Sequence, residues 1–150
     1  MPAHSSSTVR RWIGWVLRIL GFGLFVLAFF LPAVRGEGTV FAGWKCASIA
    51  LSETVGLFGK SPSFSLAVLL VVFSGWINPL VVLTLLISFV AKLRTLRRIL
   101  GILIVLCMAA TWTFFVQHTV TPLVGHWLWI AGALLILVPE VLPGRPVAAD

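Results

Sequence analysis

Four stretches of this chain, residues 12–32, 64–91, 99–117 and 123–138, are almost free of charge. Apolar runs of roughly 20 residues have the length and composition needed to cross the hydrocarbon core of a bilayer as helices. Nothing else in the sequence restricts the fold as strongly. Backbone groups in lipid must satisfy their own hydrogen bonds, so each run has to be helical, and several such helices in one chain pack side by side. Composition agrees: 60% of the 150 residues are hydrophobic and 10% charged, where a soluble domain carries about a quarter charged residues. The expected fold is an all-α integral membrane protein, a four-transmembrane-helix bundle with a short amphipathic surface helix between spans 1 and 2.

The intervening segments divide the chain further. Residues 1–11 read as a disordered tail, 12–142 as the membrane domain and 143–150 as a second, proline-rich tail. The start, "RRWIGWVLRIL", has the basic flank of a signal peptide, but its apolar core is too long and "LPAVRG" is a poor cleavage site, so a retained first span is expected. Within the outer loop 33–63, Trp44, Ala47, Leu51, Val55 and Phe58 recur at helical spacing, while Lys45, Ser48, Ser52 and Glu53 fall elsewhere. That pattern predicts a helix lying on the membrane surface or capping the bundle. A polar break, "KLRTLRR", occupies 92–98, and "HTVTPLVGHW" makes a tight turn before the fourth span.

Charge sets the orientation. With four crossings, one side holds Arg10, Arg11, Arg18, Lys92, Arg94, Arg97, Arg98 and Arg145, and the other only Arg35, Lys45 and Lys60. Basic loops stay in the cytoplasm, so both termini are expected there, in a bacterial-type inner membrane. Because the basic residues flank apolar runs, they point to orientation and to anionic lipid, with Lys92, Arg94, Arg97 and Arg98 as candidate headgroup contacts, and not to nucleic acid.

The second span contains the most informative polar residues, in "VVFSGWINPLVVL". Pro79 cannot donate to the carbonyl of Gly75, so the two mark a kink, with Ser74 placed to bond a freed backbone group. A re-entrant turn here would put the basic 92–98 loop outside, so one continuous helix is expected, its kinked face turned into the bundle. Asn78 needs partners in hydrocarbon. Helical spacing sets it on one face with Ser74 and Ser88, a candidate polar site within the membrane. Interhelical bonding is its simpler role; lining a pore or ligand site is the sharper one.

Small residues at seven-residue spacing predict close helix crossings: Gly14, Gly21 and Ala28 in the first span, Ala67, Ser74 and Ser88 in the second, Gly125 and Gly132 in the fourth. Cys46 and Cys107 fall in a loop and a span, so no disulfide is expected. His118 and His126 bracket the last turn without metal-ligand spacing, and neither a metal nor a cofactor is expected. None of the four acidic residues lies at a span's centre, against proton-coupled export, and no nucleophile–base pair or phosphate loop occurs. The expected function is non-enzymatic: a homo-oligomeric or partner subunit that supports assembly of a membrane complex. The alternatives are an oligomeric channel or small-solute transporter lined by the Asn78 face and, lower, a lipid- or quinone-linked enzyme.

Overall fold

A computed structural model describes residues 5–59 and 65–141. The elements are α1 (Ser5–Phe30), β1 (Pro32–Gly36), β2 (Thr39–Ala42), α2 (Gly43–Gly59), α3 (Leu66–Ile87), α4 (Arg94–Gln117), β3 (Thr121–Pro122) and α5 (Val124–Val141), with a single 3-10 turn at Ala91–Leu93. The chain is predominantly helical. Three helices are long and apolar enough to cross a membrane, Trp12–Phe30, Leu66–Ile87 and Arg94–Gln117, and Val124–Pro139 is a shorter apolar helix. α1 starts at Ser5 and so takes in residues assigned above to a tail; Arg94–Arg98, read as loop, form the first turn of α4. The C-terminal tail and residues 60–64 of the outer loop lie outside the described residues.

The helices pack as two antiparallel pairs, α1 with α5 and α3 with α4. Small residues make the first pair close. A Cβ built on Gly21 would sit 2.7 Å from the carbonyl oxygen of Gly132, and one on Gly132 2.7 Å from the oxygen of Gly21. Ala28, the next residue in the Gly14–Gly21 series, is fully buried. The pairs join through one apolar layer: Phe25 of α1, Ile77 and Val81 of α3, Ile104, Cys107 and Met108 of α4, and Ala133, Ile136 and Leu137 of α5.

α3 is one uninterrupted helix with Pro79 inside it, its N-terminus capped by the Ser65 hydroxyl, which accepts from the amide of Val68 at 3.2 Å. One expectation for this helix, that its kinked face turns into the bundle, changes. Its buried face runs through Leu70, Ile77, Val81 and Thr84, and Pro79 is exposed. Gly75 is covered by α2, where a Cβ would meet Ala50 at 3.1 Å, whereas Pro79, two positions from both Ile77 and Val81, falls about 200° round the helix from that buried face.

Two features emerge from the segment 33–63. Residues 32–42 form a hairpin whose two-residue turn, Glu37 and Gly38, has positive φ at both positions (49° and 78°). This conformation matches the right-handed twist of the flanking strands, and glycine adopts it without strain. β3 adds to the other edge of β1, giving the order β2-β1-β3, so the sheet ties the end of α1 to the start of α5. The second feature is α2 itself. At about 100° per residue, its surface divides into three strips. Gly43, Ala47, Ala50 and Thr54 face the bundle; Trp44, Leu51 and Val55 form an exposed apolar strip; Lys45, Ser48, Ser52 and Glu53 form an exposed polar one. The large residues of the amphipathic pattern thus point away from the protein, and small ones make the contact.

Candidate functional site

A cavity of about 310 Å³ opens where the hairpin and α2 meet the bundle, at the end remote from Arg94–Arg98. Its walls come from every helix. α1 contributes Ala28 and Phe29, the hairpin Val34 and Phe41, α2 Cys46, Ala47 and Ala50, α3 Val71, Ser74 and Asn78, α4 Thr111 and Phe115, and α5 His126 and Trp129. Local sequence explains the space. Gly43 lies against the backbone of Ala28 and Phe29 and its N–H donates to the carbonyl of Leu31 at 3.1 Å, so α2 springs directly from the end of α1. The small inner face of α2 then leaves a void that larger side chains would fill. Among the described residues no Asp, Glu, Lys or Arg lines it.

The structure places two of the three sequence-predicted polar residues, Ser74 and Asn78, together at this wall, and it leaves the third apart. Ser88 caps the C-terminus of α3, where its hydroxyl donates to the carbonyl of Leu85 at 2.7 Å. The indole Nε1–H of Trp129 donates to Oδ1 of Asn78 at 3.0 Å, joining α5 to α3. An indole nitrogen only donates, so the amide must turn its oxygen to Trp129, and both N–H groups of the amide nitrogen are without a partner among the described residues. Ser74 behaves differently from the other span hydroxyls. Thr84, Thr111 and Thr113 each donate to the carbonyl four residues back, whereas Ser74 makes no hydrogen bond among the described residues. It does not bond a group freed by Pro79.

No family model, curated protein or solved structure matches the chain. The chemistry therefore has to be read from the site alone.

His126 is the residue that sequence reasoning left at the membrane interface and that the structure buries, 5% exposed. Its imidazole stacks on Trp129 with centroids 5.5 Å apart and packs against Phe115 at 4.8 Å and Trp112 at 5.8 Å. Its Nε2 is buried without a hydrogen-bond partner among the described residues. The signal lay in two aromatic clusters, "WTFF" in the third span and "HWLW" in the fourth, which the α4–β3–α5 turn folds together. His118, by contrast, is exposed and rests on Phe114 at 4.6 Å. Among the described residues no group of three His, Cys, Asp or Glu side chains is placed to hold a metal ion. Cys46 lines the cavity from α2, and burial raises its thiol pKa above the ordinary value.

At the opposite end the four basic candidates separate. Lys92, Arg94 and Arg98 are exposed, while Arg97 is buried and its guanidinium donates to the carbonyls of Val90 at 2.8 Å and Ile87 at 3.3 Å. Those carbonyls lie at and just beyond the end of α3; each accepts one backbone N–H, Ile87 from Val90 and Val90 from Leu93, and the guanidinium takes the second acceptor position. Arg97 acts as a cap.

Proposed function

We propose that the chain is a four-span membrane protein, both termini cytoplasmic in a bacterial-type inner membrane, that works as an oligomeric or partner subunit of a membrane complex. The observation that carries this is the outer surface of the helices. Ile19, Phe22 and Phe30 of α1, Phe73, Trp76 and Leu86 of α3, and Ile102, Leu106 and Val116 of α4 are all 46% exposed or more. Such a belt belongs in lipid or against other membrane helices, because a soluble monomer rarely exposes large contiguous apolar patches. α5 has 18 residues, about 27 Å of helix, which reaches across a hydrocarbon core with slight local thinning. Since almost the whole described chain is membrane helix, its outer faces are the surfaces through which it acts on other proteins. Exposed Lys92, Arg94 and Arg98 supply the anionic-lipid contacts.

A second reading, a channel or transporter along the Asn78 face, is favoured by the placement of Ser74 and Asn78 on the cavity wall. Against passage through a single chain stands the layer of Phe25, Ile77, Val81 and Ile104, each 3% exposed or less.

Cross-linking in native membranes followed by purification tests the subunit reading. A partner or a second copy at fixed stoichiometry is expected, and a solitary monomer that conducts solute in liposomes, with flux abolished by Asn78→Leu, would overturn it in favour of the channel. A periplasm-active reporter fused after Arg98 is expected to be silent; activity there would refute the orientation.

A further inference from the structure

We propose that the cavity under α2 is a binding site for an uncharged, membrane-soluble molecule that presents a carbonyl acceptor on an apolar body. This inference goes beyond the subunit reading and does not depend on it. Three observations converge. The size, about 310 Å³, lies at the lower end of the range for small-molecule sites. The lining is apolar and rich in rings, among them Phe29, Phe41, Phe115 and Trp129, with no carboxylate, ammonium or guanidinium among the described residues. An ionic ligand would lose its hydration there without a counter-charge, so the occupant is neutral.

The third observation is the balance of donors and acceptors. Trp129 has committed its one N–H to Asn78 and Thr111 its hydroxyl proton to the carbonyl of Cys107. What remains on the wall is the Asn78 amide nitrogen, with two N–H groups, and the Ser74 hydroxyl, one helical turn away on α3. His126, on the other side of the same indole, adds a buried ring nitrogen without a partner. A wall with donors to spare beside a neutral apolar space suits a ligand that brings acceptors. Two membrane-soluble sources share that chemistry: the ring carbonyls of a quinone and the ester carbonyls of an acylglycerol.

Cys46, on the cavity wall, supplies the readout. In a Cys107→Ala protein held in dodecyl maltoside, its alkylation by a maleimide is followed at pH 8 with increasing amounts of a decyl-benzoquinone substituted at every other ring carbon, so that the thiol has no free position to add to, of dioctanoylglycerol or of decanoate. Saturable protection by at least one of the two neutral probes is expected, and which of them protects identifies the source. Protection should require about tenfold more probe in Ser74→Ala and in Asn78→Leu, and should vanish in Ala47→Phe, which fills the space. Ser74→Ala removes no hydrogen bond among the described residues, so it reports on the site even where the other variants lose structure. Protection by decanoate equal to that by the neutral probes would overturn the proposal. So would the absence of saturable protection by either neutral probe, or protection unchanged in Ser74→Ala.

Discussion

Replacing Gly132 by alanine tests whether the α1–α5 crossing is set by backbone contact. The new Cβ would lie 2.7 Å from both the carbonyl oxygen of Gly21 and the amide nitrogen of Phe25. Both are main-chain atoms, so no side chain can swing aside. Restoring an ordinary contact of about 3.5 Å requires the helices to part by roughly 0.8 Å, a gap that forfeits a quarter to a half of each atom pair's attraction. If about 30 pairs of about 0.15 kcal/mol meet at the crossing, separation costs about 1–2 kcal/mol. Alanine also gains about 1 kcal/mol of helix propensity over glycine, which partly hides the effect. Gly23 provides the comparison, since a Cβ there meets nothing within 4 Å. Gly23→Ala carries the propensity gain alone, so Gly132→Ala should be less stable than Gly23→Ala by about 1–2 kcal/mol, about five- to thirtyfold in the unfolding equilibrium. The assay is reversible unfolding by sodium dodecyl sulfate in mixed micelles, followed by circular dichroism. Equal midpoints for the two variants would refute close backbone packing as the basis of this pair.

Three further outcomes are expected. Asn78→Leu and Trp129→Phe should each destabilise, and a double-mutant cycle should give a coupling of about 0.6 kcal/mol, the average for hydrogen bonds between membrane helices; additive effects would mean that the 3.0 Å bond contributes nothing. Arg97→Ala should lower stability by about 2 kcal/mol through loss of charge-assisted bonds to the Val90 and Ile87 carbonyls, while exposed Arg94→Ala changes it by less than about 0.5 kcal/mol; unfolding midpoints separate the two, and equal losses would refute the cap. Desolvation raises the Cys46 pKa, so less thiolate is present at pH 7 than for a free thiol, and its alkylation rate should keep climbing at pH values where an exposed thiol has levelled off. Ser48→Cys with Cys46→Ser, on the exposed polar strip of α2, gives the reference curve, and superimposable profiles would refute that shift.

The sequence made the α1–α5 contact legible because glycine at a helix crossing is read the same way in sequence and in space. Gly21 and Gly132 each occupy a seven-residue series of small residues, and each meets the other's backbone. In α3 the same rule found the face but not the contact. Ala67, Ser74 and Ser88 keep a seven-residue register with Val81 in the gap, and Val81 is buried beside Leu70, Ile77 and Thr84, so large side chains fill that face. A small residue marks a close approach only where another backbone arrives, and in α3 that happens at Gly75, against Ala50 of α2. The hairpin left a readable signal, "RGEGTV", whose Glu-Gly pair between strand-formers specifies a tight turn. Two short strands seldom hold alone, so the segment reads as loop until β3, nearly 90 positions from β1 in sequence, pairs with its other edge.

The cavity was the least legible feature for a related reason. Each polar residue on its wall has an ordinary local explanation: Asn78 as interhelical glue, Ser74 as a helix hydroxyl, His126 as an interfacial ring. Only the three-dimensional account of donors distinguishes them, since the glue uses the oxygen of Asn78 and leaves its nitrogen, and Ser74 does not bond back as Thr84 and Thr111 do. Asn78 therefore has two roles that mutation can separate. Asn78→Asp keeps an acceptor for Trp129 while removing the amide N–H groups, though it brings a charge that only protonation can remove in this apolar wall. Ser74→Ala removes a donor and leaves the α3–α5 bond intact. If that bond were the whole purpose of the polar wall, Trp129→Phe and Asn78→Leu would alter probe protection at Cys46, and Ser74→Ala would not. A wall built to meet a ligand predicts the opposite for Ser74, whose loss removes no hydrogen bond among the described residues.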